Sequence, residues 1–137
     1  MKIIFFLMFS LSMLTNICSC KIAYDKNKLS GFKQLQNIKD GSSIYVIPGS
    51  GCTGCISDIE NFALKNGNSD TVFFVFTRLN SFKLFRNRFG NSFISSKNII
   101  IDTANIYTFE EKNLEIYPVV YKKRNGKILL ITHLKPQ

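Results

Sequence analysis

Two of the four cysteines in the chain, Cys52 and Cys55, stand two residues apart in "YVIPGSGCTGCISDIENF". A pair at this spacing can serve as a redox couple, supply half of a metal site, or close a small loop as a disulfide. A thiol reacts as its thiolate, and that anion is favoured at the N-terminus of a helix. A tetrahedral cysteine–zinc site would need about four ligands. The single histidine, His133, lies far along the chain, so zinc is poorly supplied. Of the acidic residues, Asp58 and Glu60 follow Cys55 closely and are expected to favour the helix start. Glu110, Glu111 and Glu115 are expected to form a solvated face.

The other two cysteines belong to a different feature. "MKIIFFLMFSLSMLTNICSC" opens with Lys2 and carries an apolar stretch from Ile3 to Leu14, a length that suits a signal-peptide core and is short for a membrane span. It ends in Ile17-Cys18-Ser19-Cys20, which resembles the lipobox of bacterial lipoproteins. That resemblance implies a signal peptide over 1–20, lipidation of Cys20 and a membrane anchor in the cell envelope, facing the periplasm or the exterior. Cleavage before Cys18, or an ordinary secreted protein cut near Ser19, are the alternatives. With Cys18 removed and Cys20 lipidated, Cys52 and Cys55 remain as the thiols of the mature chain. The compartment beyond the membrane is oxidising and lets a close pair form a disulfide.

Residues 21–137 suffice for one compact domain, read as a tether over 21–30 and a single domain over 31–137. Thirteen phenylalanines provide a core without any tryptophan. The formal charge of +9 is spread along the chain, apart from "YKKRNGK" at 121–127, which reads as a solvated hairpin tip. Nucleic acid is therefore not an expected partner. Attraction to anionic lipid head groups is compatible with a tethered basic protein.

The elements that would position Cys52 and Cys55 follow from pattern. Phe32, Leu35 and Ile38 recur at helical spacing over 31–39, and "DGSS" breaks that helix. Residues 44–47, 71–77 and 98–103 are short apolar runs bounded by turn residues, as in buried strands. Ile56, Ile59, Phe62 and Ala63 share one helical face ending near Gly67. A basic helix capped at Asn80 or Ser81 turns Phe82, Phe85 and Phe89 inward and its charges outward. The stretch 104–117 fits one or two helical turns. Asn125-Gly126 between apolar runs 119–123 and 127–133 marks a hairpin. Strands alternating with helices imply an α/β fold with a mostly parallel sheet, to which the hairpin adds antiparallel edge strands.

This order resembles the thioredoxin-like family, particularly its membrane-anchored bacterial members, over roughly residues 43–133. The CxxC follows the first core strand and opens a helix, a β-α-β unit comes next, and Asp102…Tyr117-Pro118-Val119-Val120-Tyr121 and Lys123-Arg124-Asn125-Gly126-Lys127-Ile128 match the approach to the family's cis-proline and its final hairpin. The resemblance implies a central mixed sheet with flanking helices and a C-terminal β-hairpin. It implies that Cys52 is the nucleophile, Cys55 the resolving cysteine, and Pro118 a cis-proline facing them and exposing a strand edge to an extended substrate. No cofactor is expected. The implied function is reduction, formation or exchange of disulfides, with exported proteins or a membrane redox partner, by a monomer. The chain departs from the family at four points. Gly51 replaces an aromatic residue, Thr53-Gly54 stands between the cysteines, Val46 occupies the place of a buried carboxylate, and the C-terminal helix is missing. A copper site of the thioredoxin-like kind would need wider cysteine spacing, so His133 is read as a surface residue. The departures point to the alternative, a binding or accessory lipoprotein whose disulfide is structural.

Overall fold

A computed structural model describes residues 29–109 and 112–134. The signal segment, Cys20, most of the tether, Glu110 and Glu111 lie outside the described residues. The elements are α1 (Lys33–Gln36), β1 (Ser43–Pro48), α2 (Thr53–Asn66), β2 (Val72–Thr77), α3 (Phe82–Phe89), α4 (Asn91–Ile94), β3 (Ile99–Asp102), a 3-10 turn (Lys112–Leu114), β4 (Val119–Arg124) and β5 (Lys127–His133).

The strands form one mixed sheet in the order β3-β2-β1-β4-β5. β1, β2 and β3 run parallel, while β4 is antiparallel to β1 and β5 to β4. The expected hairpin turns through Asn125 and Gly126, both at positive φ (50° and 71°), the backbone that an Asn-Gly turn supplies at low cost.

Side chains alternate across the strands, and each face of the sheet has its own core. Ile44, Val46, Val75, Ile100, Val119 and Tyr121 line one face and are covered by Leu29, Phe32, Leu35, Ile38 and Tyr107. Here the segment before β1 covers one face of the sheet. Its helix is only four residues long, because the apolar spacing is met as much by the flanking turns as by α1. Leu29 is 4% exposed, so the packed domain begins inside the stretch read as tether.

Ile47, Phe74, Phe76 and Ile99 line the other face against Ile56 and Ala63 of α2, Phe85 of α3 and Phe93 of α4. Ser81 caps α3 by accepting from the Leu84 N–H at 3.3 Å. Phe85 is buried and Phe89 packs against that core as expected, but Phe82 turns outward at 40% exposure. Gly90, at φ 82°, ends α3 and lets the chain restart as α4, a break that the run of phenylalanines conceals in the sequence.

Candidate functional site

β1 ends at Pro48, and the chain turns through Gly49, Ser50 and Gly51 into α2. Cys52 is the N-cap of that helix and Cys55 lies in its first turn. The two cysteines are joined as a disulfide with Cα atoms 5.4 Å apart. Both are half-buried, Thr53 and Gly54 between them are exposed, and a Cβ on Gly54 would meet nothing within 4 Å. The pair therefore stands at the C-terminal ends of the parallel strands, open to solvent on the side of residues 53 and 54. Ligand sites of open α/β sheets gather at this end.

Two neighbouring segments grip the loop. On the β2 side, Gly49 lies so close to Arg78 and Leu79 that a Cβ would stand 2.5 Å from the Arg78 carbonyl oxygen. On the β4 side, Gly51, at φ 146°, lies against Ile116, where a Cβ would stand 2.3 Å from its carbonyl oxygen. The same Ile116 carbonyl accepts a hydrogen bond from the Cys52 N–H at 3.0 Å. No aromatic side chain fits at position 51 without displacing the Ile116 backbone.

The expected cis bond before Pro118 is not formed: the structure has no cis peptide bond among the described residues, and Tyr117–Pro118 is trans. Trans is the ordinary isomer of an X-Pro bond, and a 3-10 turn leads into it. Tyr117 N–H donates to Leu114 at 3.1 Å, and this turn delivers the Ile116 carbonyl directly to Cys52. The Pro118 carbonyl accepts from Leu134 N–H at 2.8 Å. Pro118 thus stays close to the cysteine loop in the chain path. The edge expected to pair with a substrate is engaged at Ile116 by Cys52.

Charged residues around the site differ from expectation. Glu115 is no free solvated carboxylate. Arg78 donates to it through both terminal guanidinium nitrogens, and that hydrogen bond holds the Glu115 carboxyl below its ordinary value against a smaller opposing effect of burial. Arg78 also lies over the ring of Phe109, 5.1 Å from its centroid. Glu60 does not serve the helix start either. It is 6% exposed and paired with Arg88 of α3, a buried carboxylate borne by α2 and absent from the strand position that Val46 fills. One strand further, Asp102 accepts from Thr77 Oγ1 (2.8 Å), Ile106 N–H (2.9 Å) and Tyr107 N–H (3.0 Å), fixing the loop that carries Asn105 toward Arg78.

None of these roles carried a local motif, since each partner lies 25 or more residues away or depends on a loop path. The signal available was composition: an acid following Cys55 in an otherwise apolar helical stripe.

His133 ends β5 opposite Val119, separated from β1 by β4. No three His, Cys, Asp or Glu side chains gather as a metal site among the described residues, and no described helix is long and apolar enough to cross a membrane. A cleft of about 160 Å³ opens between α2 and α3 beside Pro48 and Gly49. A larger open depression of about 450 Å³ lies at the opposite end of the strands, around Gly67 and Ser96. No protein-family model, curated protein or solved structure matches the chain.

Proposed function

We propose that this chain is a thioredoxin-like thiol–disulfide oxidoreductase, anchored by lipid at Cys20 in the cell envelope and acting on exported proteins through Cys52 and Cys55. The observation that carries the reading is the half-buried disulfide at the N-cap of α2, beyond the C-terminal ends of the parallel strands. The α/β mixed sheet with its terminal hairpin is compatible with the thioredoxin-like fold.

In the oxidised state a substrate thiolate attacks Cys52 Sγ. The Cys52–Cys55 bond breaks, and Cys55 leaves as a thiolate that takes a proton from solvent. A second substrate thiolate then attacks the substrate sulfur of the mixed disulfide and expels Cys52. Two electrons pass from the substrate dithiol to the cysteine pair, and the Cys52 thiolate is stabilised by the N-terminus of α2. The reverse sequence reduces a substrate disulfide, with an external dithiol restoring the reduced pair.

A structural disulfide is the competing reading, and the ring size argues against it. The bond closes a loop between residues three apart in sequence, which in the chain-entropy account stabilises by about 2 kcal/mol, well under the contribution of a long loop. The trans Pro118 and the engaged Ile116 carbonyl favour the competing reading instead. A reduction potential measured against glutathione separates the two, because structural disulfides fall below about −300 mV. Capture of mixed disulfides by Cys55→Ser in envelope extracts, absent in Cys52→Ser, is the expected companion result. A very low potential together with no capture would retire the oxidoreductase reading.

A further inference from the structure

The first turn of α3 departs from its sequence pattern. Phe82 shares helical spacing with Phe85 and Phe89, yet it turns outward at 40% exposure, and Leu84 beside it is 68% exposed. Phe85 and Phe89 pack inward, so the outer side of the helix carries Phe82, Lys83, Leu84 and Arg86. The Arg86 guanidinium lies over the Phe82 ring, 5.9 Å from its centroid, which holds cation and ring in one patch. Neither Lys83 nor Arg86 has a carboxylate partner among the described residues.

The described acids leave this patch positive. Asp40 and Asp70 precede β1 and β2, at the opposite end of the strands. Glu60 and Glu115 are paired with Arg88 and Arg78, and Asp102 is buried under three donors. Among the described acids, only Asp58 is exposed on the cysteine half, on α2. Cations alone would suit any polyanion in water, where Phe82 and Leu84 gain nothing. A lipid surface suits both kinds of side chain, because lysine and arginine meet anionic head groups while apolar side chains enter the acyl boundary.

The patch also stands at the end of the sheet where the domain begins. Phe82 follows β2 and Ile106 follows β3, both beyond the C-terminal ends of the parallel strands. Gly31 lies against Ile106, where a Cβ would stand 2.8 Å from its Cγ2. Residues 21–28 span at most about 29 Å, so a lipid on Cys20 keeps this end of the domain within reach of the bilayer.

We infer that the outer face of α3, formed by Phe82, Lys83, Leu84 and Arg86, rests on an anionic lipid surface and orients the domain on the membrane. The nearness of that membrane rests on the lipid-anchor reading, whereas the contact is a property of the folded chain. Leu84 shares the α2–α3 cleft with Pro48 and Gly49, so the contact brings the cysteine loop beside the head groups.

The test uses the chain from residue 21 onward, which keeps every described residue and carries no lipid. Vesicles are phosphatidylcholine alone or mixed with phosphatidylglycerol. Co-sedimentation is expected with the mixed vesicles at low salt, falling as salt rises, and absent on phosphatidylcholine. Arg86→Glu and Leu84→Ser should each weaken binding about fivefold or more. Arg124→Glu makes the same charge change on the hairpin tip at the other end of the strands and should weaken it by less than about twofold. The chain has no tryptophan, so Leu84→Trp adds a single reporter, whose fluorescence brominated acyl chains should quench. That of Leu64→Trp, at a position late in α2 that is 51% exposed, should stay unquenched. All four positions are exposed, and circular dichroism checks each fold. No binding to mixed vesicles, equal losses for Arg86→Glu and Arg124→Glu, or equal quenching of the two reporters overturns the α3 assignment. Mass spectrometry of the chain from envelope extracts reads the anchor separately. Cys20 without lipid, with vesicle binding intact, overturns the anchor reading and keeps the α3 contact; lipidated Cys20 with no vesicle binding overturns the α3 contact alone.

Discussion

Arg78 and Glu115 tie the two flanks of the cysteine loop to each other. Arg78 follows β2 and its backbone abuts Gly49, while Glu115 precedes Ile116, which abuts Gly51 and accepts from Cys52. β1 lies between β2 and β4, so the ion pair links the strand ends on either side of the loop. Arg78 adopts a left-handed backbone (φ 53°), which costs a non-glycine residue about 1–2 kcal/mol. The Asn105 side chain offsets that cost by accepting the Arg78 N–H at 3.1 Å.

Loosening this tie should change the cysteine site before it changes the fold. In Glu115→Gln the Ile116 carbonyl loses its anchor, and alkylation of reduced Cys52 at neutral pH is expected to slow by about threefold as the thiolate leaves its best position at the α2 N-terminus. Stability carries a pH signature with a definite sign. The folded-state value of Glu115 is depressed by the Arg78 hydrogen bond, so its contribution is present above the ordinary 4.5 and is lost as pH falls from there through the lower folded value. The melting-temperature gap between parent and Glu115→Gln should therefore be constant near neutrality and close on acidification. Asp70, lowered by its hydrogen bond from Lys97, titrates in both proteins and cancels in the comparison. A gap that widens in acid would contradict the assignment.

The two glycines bracketing Cys52 should respond with opposite signs. Gly51→Ala sets a Cβ 2.3 Å from the Ile116 carbonyl oxygen at a φ of 146°, and backbone strain of this kind costs about 1–3 kcal/mol. Gly54→Ala places a methyl group in open space in the first turn of α2 and is expected to stabilise by about 0.5–1 kcal/mol. Chemical denaturation of the reduced and oxidised forms measures both. Equal effects from the two substitutions would show that the Gly51–Ile116 contact does not constrain the loop.

Elements that depend on local pattern were legible in the sequence. The apolar runs at 44–47 and 71–77, the Ser81 cap and the Asn-Gly turn each encode their own structure within a few residues. Cys52 and Cys55 were legible for the same reason, since a CxxC after a strand carries its geometry with it. Relationships between distant segments were not. The Cys52–Ile116 hydrogen bond depends on a 3-10 turn in a stretch of mixed composition, and the Glu60–Arg88 pair depends on how α3 lies against α2. Glu115 looks in sequence like any surface acid beside Lys112, and only the path of Arg78 gives it a partner.

Asp102 should be the costliest acid to remove. It is 3% exposed and accepts three hydrogen bonds, from the buried Thr77 hydroxyl and from the Ile106 and Tyr107 amides. Asp102→Ala leaves those donors without that acceptor, an expected loss of about 2–4 kcal/mol. Thr77→Val removes one donor and keeps the shape, so its loss should be nearer 1 kcal/mol. Unfolding midpoints in urea give both values. A loss under about 1 kcal/mol for Asp102→Ala would mean that water takes over the loop amides.

Reduction of the disulfide should leave the sheet intact. Ile56 and Ala63 hold α2 in the core, and the Cys52 carbonyl accepts from the Ile56 N–H at 2.9 Å whether or not the sulfurs are joined. The small ring limits the lost stability to about 2 kcal/mol, which for a domain near one hundred residues lowers the melting temperature by roughly 8–16 °C at most. Amide exchange should then rise at residues 50–56 and stay slow in β1 and β2. The oxidoreductase reading requires this separation, because a protein that cycles its cysteines must remain folded in both states. Unfolding of the sheet on reduction would instead make the bond a structural staple.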